Sequence, residues 1–305
     1  MASSFKLRCA PRFRIHGTFY RSRLALPSGS IPLTAQTSLR SFEPSVIDFI
    51  TFAKNTTMIT FGIIPARYAS TRFPGKPLVS IKGKTMIQRV YEQTKLALNH
   101  VCVATDDQRI AEHVISFGGN VVMTRENHPS GTDRCAEAVL KFEAQNHLKA
   151  DVVINVQGDE PFIDPQQIRQ LNELFDEPET EIATLIKPIT DHEALFNPNK
   201  VKVVISKKGE ALYFSRSCIP FIRGTEKEKW MEKNTFYHHI GMYGYRKNVL
   251  FELCGLEKGT LEMAESLEQL RWLENGYKIN TAITQIEGLS VDTPEDLELL
   301  IKSIR

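Results

Sequence analysis

The chain has 305 residues, of which 42% are hydrophobic and 24% are charged, and this composition is ordinary for a soluble globular protein. The net charge is only +2, so overall charge indicates neither a nucleic-acid partner nor a membrane surface. No run of eighteen apolar residues occurs, which argues against a transmembrane helix. The five cysteines form no CxxC pair, so we expect no zinc site. Their scattered positions are typical of a protein in a reducing compartment.

Residues 1–57 differ from the rest of the chain. They hold eight basic and only two acidic side chains, with many serines and no sustained apolar stretch. That composition is typical of an organelle-targeting peptide. Met58, however, is followed at once by a strand-like run, which favours a disordered leader or an extension upstream of the true start. We therefore favour a cytoplasmic location and assign the folded domain to residues 58–305.

From residue 59 onward, short apolar runs alternate with segments of helical spacing. Strands are predicted at 59–64, 101–104, 121–123 and 152–156, and helices at 86–98, 110–117 and 132–145. Gly118 and Gly119 mark the end of the second helix. Repeated strand–helix units of this length predict an α/β fold, with a mostly parallel, Rossmann-like sheet and helices on both faces.

The second half of the domain has a more mixed pattern. Residues 201–205 and 211–214 predict a hairpin, and residues 240–245 another strand. Residues 261–275 predict one long helix that ends before Gly276. A last helix is predicted over 294–304, with Thr293 as its cap and Pro294 in its first position.

The loop after the first strand concentrates positive charge. Arg67, Arg72 and Lys76 lie within ten residues, among prolines that stiffen the loop. Ligands bind α/β sheets at the carboxyl ends of parallel strands, and Arg and Lys side chains hydrogen-bond phosphate oxygens. On composition alone, a triphosphate site and a solvated basic loop are equally good interpretations, because neither a Walker A spacing nor GxGxxG is present.

The same loop carries a family resemblance. Residues 64–78, IPARYASTRFPGKPL, closely resemble the signature of the 3-deoxy-manno-octulosonate (Kdo) cytidylyltransferases, also called CMP-Kdo synthetases. Seven further segments resemble that family in the same order along the chain: 128–134, 155–161, 197–202, 211–216, 239–246, 267–271 and 291–297. Together they extend the resemblance over essentially all of residues 58–305.

The resemblance implies transfer of CMP from CTP to Kdo with Mg²⁺, for lipopolysaccharide or related glycan synthesis. It makes Asp159 and Asp292 the metal ligands, although an Asp between Gly and Glu is more often a turn or cap residue by itself. One or two Mg²⁺ ions fit this expectation equally. The nucleotide would be bound by residues of the first loop and of a second segment, which by itself also fits a helix N-cap. These residues are Ala66, Arg67, Arg72, Lys76, Ser130, Gly131 and Thr132.

The sugar acid would meet a different set of side chains. The planar guanidinium of Arg216 suits its carboxylate. By resemblance, the remaining pocket residues are Gln157, His239, Tyr243, Glu268 and Gln269. Taken alone, His239 is better explained as a structural histidine, and Glu268 with Gln269 also fit a solvated helix face. The family is usually dimeric, so we expect a homodimer with no nucleic-acid partner and no membrane span.

Three other functions compete with this hypothesis. CMP-sialate synthetases share the chemistry, but carry a Gly-Gly-Ser segment where this chain has Tyr68, Ala69 and Ser70. An inactive sugar- or nucleotide-binding paralogue is disfavoured, because the expected phosphate-binding cations and both metal-binding carboxylates are retained. A dinucleotide-dependent oxidoreductase is excluded, since the glycine fingerprint is missing from the first strand–helix turn.

Overall fold

The strands of the domain form one large sheet and a small hairpin. The computed structural model describes residues 58–69 and 73–303, so the predictions for residues 1–57 and for Arg72 lie outside the described residues. The strands are β1 Thr60–Ala66, β2 Ser80–Ile81, β3 Lys84–Thr85, β4 His100–Thr105, β5 Val121–Met123, β6 Val152–Asn155, β7 Ile182–Pro188, β8 Lys202–Ile205, β9 Ala211–Ser215, β10 Tyr237–Arg246 and β11 Ile279–Ile283.

The described helices lie mainly between these strands. They are α1 Met86–Lys95, α2 Gln108–Ser116, α3 Gly131–Asn146, α4 Pro165–Glu173, α5 His192–Phe196, α6 Trp230–Lys233, α7 Lys247–Cys254, α8 Thr260–Glu265, α9 Gln269–Glu274 and α10 Pro294–Ser303. Within this described part, no helix has the length and apolar character that crossing a membrane requires.

The main sheet has the order β11-β7-β10-β6-β1-β4-β5, and the hairpin β8–β9 joins it through β10. Pairing is parallel between β1 and β4, β1 and β6, β4 and β5, and β7 and β11. The exception is β10, which runs antiparallel between β6 and β7. The predicted α/β class with a mostly parallel sheet is therefore confirmed. Its antiparallel pairing is confined to the region where β8, β9 and β10 join the sheet.

Apolar side chains cover both faces of this sheet. On one face, Phe61 and Ile63 of β1 pack in a core that includes residues of α3, α7 and α9. On the other face, Ile64 packs with residues of α1, α2 and α4. Alternate residues of a strand point to opposite faces, so burial on both sides explains why the central strands are continuous apolar runs.

The prediction of one helix over residues 261–275 is wrong. The segment forms α8 and α9, separated at Ser266, whose φ of 53° is left-handed. The guanidinium of Arg216 donates from Nε to the carbonyl of Glu265 at 2.7 Å and from Nη2 to that of Ser266 at 3.4 Å. These carbonyls are therefore capped by a distant side chain. The break turns Glu268 towards Thr132, whose hydroxyl donates to it at 2.9 Å.

The last helix agrees with its prediction. Pro294 is its first residue, and the amide of Asp296 donates to the Thr293 hydroxyl at 3.2 Å. In return, the Asp296 carboxylate accepts from the amides of Asp292 and Thr293. This reciprocal capping fixes the chain just before α10, where Asp292 lies.

Candidate active site

Three cavities adjoin one another at the carboxyl edge of the parallel strands. The first, about 390 Å³, is lined by the end of β1, by Arg67 and Ala69 of the following loop, by Lys76 and by Asp159. The second, about 170 Å³, lies between the start of α3 and Tyr243. The third, about 380 Å³, is bounded by Asp159, Asp292 and His239. Gln157 lines all three, so they form one cleft around this side chain.

Lys76 lies between two carboxylates that are 133 positions apart in the sequence. Its ammonium Nζ is 2.9 Å from Asp159 Oδ2 and 3.6 Å from Asp292 Oδ1. It also donates to the carbonyl of Val291 at 2.9 Å. The lysine side chain is 14% exposed, whereas those of Asp159 and Asp292 are 28% and 43% exposed. Both carboxylates therefore remain accessible from the cleft.

Backbone packing explains how these residues meet. A Cβ on Gly158 would lie 2.8 Å from the carbonyl oxygen of Pro65, so only glycine lets the loop after β6 pass so close to the end of β1. The amide of Val291 donates to the Asp159 carbonyl at 2.9 Å. That bond ties the segment before α10 to the loop after β6 and brings Asp292 beside Asp159.

The donor set fits a hard divalent cation. Magnesium in nucleotide sites is bound by one or two carboxylates together with phosphate oxygens. Asp159 and Asp292 supply two carboxylates within reach of one cation, the Lys76 ammonium. Among residues 58–69 and 73–303, no cluster of three or more His, Cys, Asp or Glu side chains is placed to hold a metal. A cation here would complete its coordination with oxygens of a bound phosphate and of water.

The loop after β1 supplies further positive charge. Arg67 is exposed, lines the first cavity beside Ala66, and donates to the carbonyl of His128 at 2.7 Å. Partial desolvation of its guanidinium, and then the nearby Arg134, lower the pKa of Arg67. The loop closes at Gly75, whose φ of 71° suits glycine and whose amide donates to the Tyr68 carbonyl at 2.9 Å.

The helix predicted over residues 132–145 forms as α3, which begins one residue earlier, at Gly131. Ser130 is the N-cap of α3, and its hydroxyl accepts from the amide of Asp133 at 3.2 Å. Gly131, in the first helical position, lines both the first and the second cavity, while Thr132 lines the second. The positive end of a sixteen-residue helix therefore opens onto the cleft.

Residues expected to bind the sugar acid lie on the other side of Gln157. The amide Nε2 of Gln157 donates to the Gly241 carbonyl at 2.6 Å. His239 lines the third cavity, and burial, then the neighbouring His238, lower its pKa to about 3. Tyr243 lines the second cavity, and its buried hydroxyl has no hydrogen-bond partner among the described residues.

The other three sugar-site predictions have different outcomes in the geometry. Glu268 lines the second cavity, and burial raises the pKa of its carboxyl. Gln269 is buried at the start of α9 and lines none of the three cavities. Arg216 lines none of them either, and it donates to the carbonyls of Glu265, Ser266 and Pro198. Two of the five guanidinium N–H groups remain for a ligand.

Sequence reasoning missed the irregularity of β10. Ile240 pairs with Leu185 and Tyr243 with Thr184, so Gly241 and Met242 form a bulge with no partner on β7. The bulge gives the Gly241 carbonyl to Gln157. Gly241 inside the predicted strand is a signal from which the bulge could have been predicted.

Comparison with known proteins gives the class of protein first. The cytidylyltransferase family model matches residues 61–279. A solved structure described as a CMP:2-keto-3-deoxy-manno-octonic acid synthetase complexed with CTP superposes with a TM-score of 0.73 at 42% identity. The superposition covers 81% of this chain and 98% of the solved chain. The fold is thus that of a nucleotide-transferring enzyme.

Closer relatives narrow the family. A 3-deoxy-manno-octulosonate cytidylyltransferase of Parabacteroides distasonis is 58% identical over 241 residues, 78% of this chain and 94% of the relative. One of Cytophaga hutchinsonii is 57% identical over 238 residues, 77% and 93% of the two chains. The chain belongs to the 3-deoxy-manno-octulosonate cytidylyltransferase family.

Proposed function

We propose that the chain transfers CMP from CTP to 3-deoxy-D-manno-octulosonate, releasing pyrophosphate, and so contributes to lipopolysaccharide or a related glycan. The observation that carries the proposal is the cleft around Gln157. On one side Lys76 lies between the carboxylates of Asp159 and Asp292. On the other side lie His239 and Tyr243. A triphosphate and a polyhydroxylated acid would meet at this side chain.

The reaction is an in-line displacement at the α-phosphorus of CTP. The anomeric hydroxyl of the sugar acid forms the new P–O bond as the bond to the β-phosphate bridging oxygen breaks, and the hydroxyl proton leaves to solvent. Such transfers depend on positioning and charge stabilisation. Arg67, Arg72, Lys76 and the start of α3 would hold the triphosphate and neutralise the departing pyrophosphate. Gln157, from the middle of the cleft, would hold the acceptor beside the α-phosphate.

Asp159 and Asp292 would hold Mg²⁺ together with phosphate oxygens. The ion would supply positive charge against the triphosphate and lower the pKa of the attacking hydroxyl. The chain's own part is to keep the two carboxylates together, through the Val291–Asp159 backbone bond, and to keep the Lys76 ammonium beside them. The two remaining N–H groups of Arg216 are proposed to face the sugar carboxylate, and Gln269 to support Glu268 from within the core.

The test is pyrophosphate release by the full chain. CTP is combined with Kdo, with N-acetylneuraminate or with no acceptor, each with Mg²⁺ and with excess chelator. We expect release only with CTP, Kdo and Mg²⁺ together. Faster release with N-acetylneuraminate than with Kdo would indicate a CMP-sialate synthetase. No release with any sugar acid would favour an inactive binding paralogue.

Two further parts of the proposal concern assembly and location. We expect a homodimer in the cytoplasm, with residues 1–57 outside the catalytic domain. Size-exclusion chromatography with light scattering tests the dimer. N-terminal sequencing of the protein from its source shows whether residues 1–57 are retained.

A further inference from the structure

The bulge of β10 is held by one buried threonine on the neighbouring strand. Thr184 of β7 is fully buried, and its hydroxyl Oγ1 makes three close contacts. It lies 2.9 Å from Nε2 of His239, 2.8 Å from the carbonyl oxygen of Met242 and 3.2 Å from that of Ile240. These three partners surround the unpaired residues of the bulge.

The chemistry of the partners assigns the protons. A hydroxyl has one proton to donate, and carbonyl oxygens can only accept. If that proton went to Nε2, the threonine oxygen would face two carbonyl oxygens with no hydrogen between them. The Thr184 hydroxyl therefore donates to the bulge, the Met242 carbonyl being nearer. Nε2 of His239 must then carry a hydrogen and donate it to Oγ1.

This assignment leaves Nδ1 as the other nitrogen of His239. In a neutral imidazole with a hydrogen on Nε2, Nδ1 is a hydrogen-bond acceptor. The structure gives Nδ1 no hydrogen-bond partner among the described residues, and His239 lines the third cavity. The same bulge directs the Gly241 carbonyl to Gln157. One hydroxyl thus controls the ring orientation and the backbone shape of the acceptor side of the cleft.

We propose that Thr184 is a positioning residue that fixes His239 as an acceptor at Nδ1 for a hydroxyl of the sugar acid. This proposal depends on the proposed function only because the ligand is taken to be the sugar acid. Thr184 acts through His239 and the bulge and touches no substrate itself. An acceptor at this point selects a ligand with a hydroxyl, and a fixed ring loses less rotational freedom when that ligand binds.

The kinetic test uses Thr184→Val, which replaces the hydroxyl by a methyl group of similar size. We expect the KM for the sugar acid to rise about tenfold, as for one lost buried hydrogen bond, with the KM for CTP changed less than about twofold. Thr184→Ser restores the hydroxyl and should restore the KM. The matched control is Thr281→Val, which removes a hydroxyl from the residue paired with Thr184 on β11 and should leave both KM values unchanged.

A double-mutant cycle tests whether Thr184 acts through His239. In a His239→Ala background, Thr184→Val should raise the KM by a clearly smaller factor than it does alone, because the ring it orients is gone and only its bonds to the bulge are lost. Independent, multiplying effects of the two substitutions would overturn the proposal. So would equal rises in both KM values, or a Ser variant as impaired as the Val variant.

A spectroscopic test is independent of catalysis. Nitrogen-15 NMR of histidine-labelled full-length protein, without substrate, reports which ring nitrogen of His239 carries the hydrogen. We expect the hydrogen on Nε2 in the wild type and a changed or mixed tautomer in Thr184→Val. A hydrogen on Nδ1 in the wild type overturns the proposal even if Thr184→Val does not fold. If the wild type transfers CMP to no sugar acid, the proposed function fails, while the tautomer still decides the role of Thr184.

Discussion

Gly158 makes the closest backbone approach in the cleft, so Gly158→Ala is a sharp perturbation. The added Cβ would lie 2.8 Å from the Pro65 carbonyl oxygen and 3.6 Å from the Cγ2 methyl of Ile64. The first contact is with backbone, which cannot rotate away. The loop after β6 must therefore move by a few tenths of an ångström or more, and Asp159 moves with it.

The structure sets the scale of the effect. Overpacking of this kind costs about 1–3 kcal/mol of unfolding free energy. The activity should suffer more, because Asp159 is held by the 2.9 Å contact to Lys76 and the 2.9 Å backbone bond from Val291. A misplacement approaching 1 Å costs on the order of 10²-fold in rate. We expect a 10- to 100-fold lower kcat and a melting midpoint lower by about 2–10 °C.

Pyrophosphate release at saturating CTP and Kdo, with thermal unfolding of the same sample, checks both numbers. Gly255→Ala is a control away from the cleft, at the end of α7, where the nearest contact to a new Cβ is 3.3 Å. It should keep its kcat. A Gly158→Ala variant with wild-type kcat and midpoint would refute the idea that this close approach positions Asp159.

Three other substitutions probe the charges of the cleft. Asp159→Asn keeps the shape but removes a carboxylate charge, so kcat should fall on the order of 10³-fold, while Asp151→Asn, outside the cleft, should leave kcat unchanged. Lys76→Gln should raise the KM for CTP about 10- to 100-fold in a steady-state titration, since charge-assisted bonds to phosphate are lost. For His239→Gln, the relevant quantity is stability against pH. The pKa of His239 is lowered to about 3 in the fold, so the unfolded chain binds the extra proton and stability is lost as pH falls from about 6.5 towards 3. Denaturant unfolding of the Gln variant should show a shallower loss over this range, by at most about 1.4 kcal/mol per pH unit; an unchanged slope would contradict the lowered pKa.

Local sequence pattern predicted the elements that are formed by local rules. The strands β1, β4, β5 and β6 were visible because burial on both faces requires uninterrupted apolar runs. The capped start of α10 was visible because Thr293 and Pro294 are the residue types that helix starts select. The loop between β1 and Lys76 was also visible in the local sequence, because positive charge is concentrated directly after a strand.

Long-range contacts decided the elements that the pattern did not predict. The segment over residues 261–275 has helical spacing, yet the helix stops at Ser266, where Arg216, fifty positions away, bonds the carbonyls of Glu265 and Ser266. No local rule contains that contact. The role of Thr184 was not predicted for the same reason. A threonine is ordinary in a strand, and only the fold brings its hydroxyl to the Met242 carbonyl in the bulge of β10.

The direction of β10 explains why one cleft combines loops with the interior of a strand. Parallel strands deliver their following loops to the carboxyl edge of a sheet, and the loops after β1 and β6 bring Lys76 and Asp159 there. An antiparallel strand reaches that edge with its first residues. Tyr243 pairs with Asn155, the last residue of β6, so the residues of β10 before Tyr243 extend past that strand into the cleft. His239 therefore reaches the cleft from within a strand, where a neighbouring side chain such as Thr184 can fix its ring more firmly than a loop could.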